Sequence, residues 1–220
     1  ERGVIREEWR TGRGPEARMR KELSPIMFKD SKYAKRDVIG DIDVINNFKY
    51  QTIKDYYAKW YRPDLQSIVI VGDIDVDKIE QKIKQLFADI NKPVNPAKRE
   101  FFELPDNVEP LIGIANDAEA RNTMVTVFIK QKTDINEPKN LSYLRTSIQR
   151  SLISSMMNAR YNELVQKPNP PFVFAGFAIG SLVRTRDVVY LYSAAKNDNV
   201  TDGVKGLIRE AQRIKQFGFT

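Results

Sequence analysis

The 220-residue sequence contains no histidine and no cysteine. Without cysteine there is no disulfide and no thiolate metal ligand. Without histidine there is no Ser-His-Asp or Cys-His catalysis. No histidine-ligated metal site can be completed from these residues either. Long apolar runs are also missing, so no segment reads as a membrane span. The opening is charged and carries no apolar stretch of the kind found in secretory leaders. Base exceeds acid, with a formal charge of +7 and a pI of about 9.4. That excess invites a nucleic-acid reading. The basic residues are interleaved with acids, however, and the densest basic stretch, RTGRGPEARMRK, has no aromatic that could stack a base. No nucleic-acid partner is expected.

What remains is a globular pattern of ordinary apolar content. Val4, Ile5 and Trp9 supply an apolar stripe for a helix over residues 1–12. The sequence TGRGP breaks it. Met19, Leu23, Ile26 and Met27 predict a second helix over 15–28. Residues 29–48 show no sustained period and read as an ordered loop. Tyr50, Ile53, Tyr57, Trp60 and Tyr61 predict a helix ended by Pro63, its aromatics belonging to a core. LQSIVIVGDI reads as a buried strand closed by Gly72 and Asp73. Asp75 or Asp77 then caps a helix striped by Val76, Ile79, Ile83, Leu86, Phe87 and Ile90. Four prolines mark residues 91–110 as a linker region.

Beyond it, LIGIA and NTMVTVFIK read as strands. Residues 139–166 predict the longest helix. FVFAGFAIGSLV and DVVYLYSAAK form a hairpin pattern around RTR. Asn199 or Thr201 caps a last helix that runs to Gly218. The fold class is α+β, antiparallel sheets with helices packed on one side. The expected division is 1–92, the C-terminal part of a first domain; 93–107, a linker; and 108–220, most of a second domain.

Three stretches together carry a resemblance. DYYAKWYRPDLQSIVIVGDIDVDKIEQKIKQLF resembles the helix–WYxP–strand–GD–helix signature of the M16 zinc metallopeptidases, the family of pitrilysin, insulysin and the mitochondrial processing peptidases. SKYAKRDVIG is similar to the loop just upstream of that signature, and ERGVIREE to the family's "ER.V…E" helix. The wording of WYRPD and VGDID points to a bacterial, single-chain member. The resemblance implies a zinc-dependent endopeptidase. Zinc would be held by two histidines of an HxxEH motif and by a glutamate on a later helix, with the motif's own glutamate as general base toward the attacking water.

HxxEH is absent here, so it would have to lie upstream of Glu1. The resemblance places the zinc-ligating glutamate seven positions after Glu1, on Glu8 rather than Glu7. Glu1 becomes a supporting acid near the metal. Helical geometry agrees: residues seven apart lie about two turns apart on one face, whereas Glu7 points about 100° away. Zinc is therefore expected in the intact parent and not in this stretch alone. The expected partner is a peptide substrate, held as an added strand on a sheet edge. Homodimerisation through exposed strand edges is a further expectation.

The competing readings are a non-catalytic M16-fold partner or scaffold subunit, and a simple binding module with one contiguous basic face. Arg160 and Tyr161 resemble an Arg–Tyr pair by which the family contacts substrate. Their spacing differs, so they read as structural, on a helix whose polar side faces solvent. The compartment is expected to be either side of a bacterial inner membrane, with the periplasm preferred.

Overall fold

The computed structural model describes residues 1–196 and 199–219. Two compact units emerge, and the chain visits each of them twice. One comprises Glu1–Arg6 with Ile39–Glu100. The other comprises Glu7–Val38 with Phe101 onward.

Helix α1 (Arg2–Thr11) begins in the first unit and ends in the second. The first unit continues with α3 (Ile42–Asn47), α4 (Tyr50–Trp60) and α5 (Val76–Leu86). The loop expected over 29–48 thus contains a short helix. Asp41 starts it by accepting from the N–H groups of Asp43 and Val44. Asp75 caps α5 in the same way, accepting from Lys78. Arg62, 7% exposed, donates to the Ala97 carbonyl at 3.0 Å and ties residue 97 to this unit.

Two expectations fail in the first unit. LQSIVIVGDI forms no strand, because no neighbouring strand among the described residues offers it a ladder. Val69 and Val71 lie 82% and 91% exposed. Tyr57 and Tyr61 are not core aromatics either. Their rings stack on each other at 4.7 Å with both side chains exposed.

The second unit begins with the end of α1 and with α2 (Pro15–Met27), where Pro15 supplies a φ suited to a helix start. Its centre is a three-stranded antiparallel sheet of order β1-β3-β2, formed by Met124–Lys132, Arg186–Ala195 and Phe172–Val183. Val127 pairs with Leu191, and Leu191 with Phe177, so period-2 alternation puts these three on one face. Helices α6 (Leu141–Val165) and α7 (Val200–Phe217) cover that face. Met157 and Tyr161 of α6, Phe172, Leu191, and Leu207 of α7 make the core. The other face carries an aromatic row, Phe128–Tyr190–Tyr192–Phe174. Gly176 lies under the Tyr192 ring, where a Cβ would overlap that ring.

LIGIA forms no strand. It runs beside α2 instead, with Gly113 against Leu23 and Ile26. The proline-rich segment is docked rather than loose. Leu104 is fully buried, and its carbonyl accepts from buried Arg186 at 2.8 Å. Lys130 reaches the Pro105 carbonyl and Thr185 the Phe102 carbonyl. At the outer edge of β2, the Asn158 side-chain amide exchanges two 2.9 Å hydrogen bonds with the backbone N–H and C=O of Phe177. That edge is therefore partly occupied by α6, which leaves less of it for pairing with a second chain.

Candidate functional site

The three glutamates of the opening helix differ in their surroundings. Glu1 precedes the first helical residue, and its backbone carbonyl accepts from the Ile5 N–H. The Glu7 carboxylate is engaged by Arg10, whose Nε donates to it at 2.8 Å. The exposed Glu8 carboxylate has no hydrogen-bond or ion-pair partner among the described residues. An unpaired carboxylate on a formed helix is the form in which a metal takes an oxygen ligand. A pair such as Glu7–Arg10 would first have to be broken.

Neighbouring residues fix this helix at both ends. At its start the Arg2 guanidinium donates to the carbonyls of Ile45 and Phe48, at 2.6 and 2.9 Å, and stacks over the Phe48 ring at 4.0 Å. It closes the C-terminus of α3, where carbonyls otherwise lack partners. At the far end, Gly12 N–H and Thr11 Oγ1 both donate to the Glu8 carbonyl. The Arg13 guanidinium covers the Trp9 ring at 4.1 Å.

Among the described residues, no group of three His, Cys, Asp or Glu could hold a metal ion. With histidine and cysteine absent from the sequence, the donor set fits zinc in one respect only. Glu8 can serve as one ligand, and the others are not supplied here.

The Arg160–Tyr161 pair is not solvent-facing. Tyr161 is fully buried, donates to the Leu207 carbonyl at 3.1 Å and packs edge-on against Phe172. Burial, with the Glu210 charge adding to it, pushes its phenol well above the ordinary range. Arg160 bonds to Glu163 and reaches buried Glu210 at 3.5 Å. Sequence reasoning did not single out Arg2, Arg18 or Asp117. Their partners lie tens of residues away, and no local spacing announces them.

Helices on one face of an antiparallel sheet make an α+β domain, and the opening helix adds one unpaired carboxylate to it. Comparison with known proteins gives it a family. The domain described as Peptidase M16 inactive domain matches residues 47–220. The probable zinc protease PqqL of Haemophilus influenzae is 31% identical over 166 residues, covering 74% of this chain and 18% of that protein. The zinc protease PQQL-like protein of Arabidopsis thaliana is 29% identical over 184 residues, covering 83% and 19%.

The crystal structure of the periplasmic protease PqqL from Escherichia coli matches with a TM-score of 0.74 at 22% identity, over 100% of this chain and 24% of that one. The ferredoxin protease FusC, solved in complex with Arabidopsis ferredoxin, gives 0.75 at 21% identity, over 99% and 24%. These likenesses establish the shared fold. The chain belongs to the M16 peptidase family. It spans about a fifth of the length of the curated relatives it matches.

Proposed function

We propose that this chain is part of a zinc-dependent endopeptidase to which Glu8 contributes a metal ligand, with Glu1 supporting it from the preceding turns. The observation that carries this reading is the contrast between Glu7, paired with Arg10, and Glu8, unpaired on a tethered helix. Zinc in such a site supplies Lewis acidity toward the scissile carbonyl and the attacking water. This chain's part is to present one anionic oxygen on a fixed helix. It lacks the remaining ligands and the general base, so by itself it binds zinc weakly and cleaves nothing. The substrates are peptides. A bacterial periplasmic setting is supported by the periplasmic relative. Among the described residues no helix is long and apolar enough to cross a membrane. The inherited domains remain 1–92 and 108–220 joined by 93–107, whatever compact units the chain forms. Homodimerisation is no part of this reading.

A second reading is a non-catalytic partner or scaffold of the same fold. It is favoured by the description of the matched domain as inactive and by the match starting at residue 47, beyond Glu8.

One experiment separates the two. In the full-length protein, Glu8→Gln lowers zinc affinity by at least about tenfold, the smallest loss typical of disturbed metal sites, and peptidase activity with it. Glu7→Gln changes neither. Native zinc content in Glu8→Gln would remove Glu8 from the site. A full-length protein that holds no zinc at all would leave the scaffold reading.

A further inference from the structure

The turn that carries Glu8 is short of support from its own helix. Glu8 sits three residues from the end of a ten-residue helix. A helix of that length is marginal without tertiary contacts, and its last turn frays first. The connection to α2 is Gly12-Arg13-Gly14, two of whose three residues are the most flexible available.

One side chain ties this corner to the segment at 117–119. Arg18, in the first turns of α2, donates from Nη1 to the Arg13 carbonyl at 2.8 Å. Its Nε and Nη2 form a two-pronged pair with Asp117 at 2.6 and 2.7 Å, and Nη2 also reaches Glu119 at 2.7 Å. Asp117 is itself fixed, because one of its oxygens also accepts from the Glu119 N–H. Its side chain is 13% exposed, which strengthens the pair relative to a fully solvated one. The planar fork of arginine is required. A lysine ammonium cannot bridge two carboxylates and a carbonyl in one plane. From Arg13 the chain of contacts continues to the Trp9 ring, adjacent to Glu8, and from Gly12 N–H to the Glu8 carbonyl at 3.0 Å.

We propose that Arg18, held by Asp117, is a positioning residue for Glu8: it locks the 12–14 corner and thereby the last turn of α1, from which the Glu8 carboxylate projects. This rests on Glu8 being a zinc ligand. Arg18 itself touches no metal.

The test has two readouts in the full-length protein, amide exchange and zinc affinity against a competing chelator. In Arg18→Lys, exchange at Thr11 and Gly12 rises about ten- to a hundredfold, as expected for the loss of charge-assisted bonds, while the middle of α2 stays protected. Zinc affinity falls by about ten- to a hundredfold, the usual consequence of releasing a ligand's support. Asp117→Asn, which keeps the shape and removes the charge, moves both in the same direction by less, and it stands in should Arg18→Lys fail to fold. Unchanged zinc affinity with faster exchange overturns the proposal, because the corner is then fixed to no purpose for the ligand. Unchanged exchange with weaker zinc binding also overturns it, because the effect does not pass through the corner. Glu8→Gln, run alongside, identifies a failure of the ligand assignment itself: only then does zinc binding ignore Glu8 as well.

Discussion

At the residue scale, two titrating groups make checkable statements. Arg18 beside it, together with the Glu119 N–H, holds the Asp117 carboxyl down to about 2. A depressed carboxyl contributes stability that is present above its ordinary value of 3.8 and is lost as pH falls through the folded value. Carbon-detected NMR titration should therefore show Asp117 still ionised at a pH where exposed carboxylates have protonated. Arg18→Lys should move its midpoint up. Tyr161 behaves in the opposite sense. Its folded phenol titrates above the ordinary value of 10.0, so its contribution is intact below that pH and declines as pH rises beyond it. Tyr161→Phe removes the bond to the Leu207 carbonyl and costs about 1 kcal/mol in chemical denaturation, while flattening the alkaline loss. Neither group was legible in the sequence. The helical period gives a face but not what covers it, and Tyr161 lies where α7 arrives from 46 positions away.

At the scale of elements, local pattern served well where pairing followed it. The alternation of Val125, Val127 and Ile129 gives β1, the RTR turn gives the β2–β3 hairpin, and Asn199 caps α7. It failed where a strand needs a neighbour. LQSIVIVGDI has the composition of a strand, but a ladder is a property of two segments, and one sequence window reports one of them. It also missed the docking of the proline-rich segment. Leu104 is buried, and Arg186, 82 positions away, donates to its carbonyl. Arg186→Ala should cost about 1–3 kcal/mol by leaving that buried carbonyl unmatched, and should expose residues 101–106 to protease. Asn158→Ala strands both polar groups of Phe177. A loss of about 1–3 kcal/mol in unfolding free energy, read as a lower urea midpoint with an unchanged slope, is the expected result.

At the scale of the whole molecule, the two units differ in how much apolar surface they cover. The second has a core of fully or nearly fully buried side chains, Met157, Tyr161, Phe172, Leu191 and Leu207. In the first, Ile45 is the buried apolar side chain among the described residues, while Tyr50, Ile53, Val69 and Val71 are exposed. Stability follows buried area, so opening should be easier in the first unit. Amide exchange of this chain should be faster over 50–90 than over 124–195. Equal protection in the two regions would contradict that difference. The family was legible in WYRPD, VGDID and the opening helix. The candidate ligand Glu8 was named from the resemblance, as a position on that helix. The helix's anchoring was not legible, because it depends on an ion pair spanning 99 positions.

The Asn158–Phe177 pairing has a consequence for how the sheet finds its alignment. Because both backbone groups of Phe177 face Asn158, those of its two neighbours face β3. A slip of β2 by one residue without rotation would place opposite Asn158 a residue whose N–H and C=O point toward β3. A slip with the half-rotation that restores the ladder would instead turn the apolar set of β2 outward. The Asn158 amide and the apolar face of β2 thus act together as a parity check, accepting an even displacement of the strand and rejecting an odd one before the helix can seat.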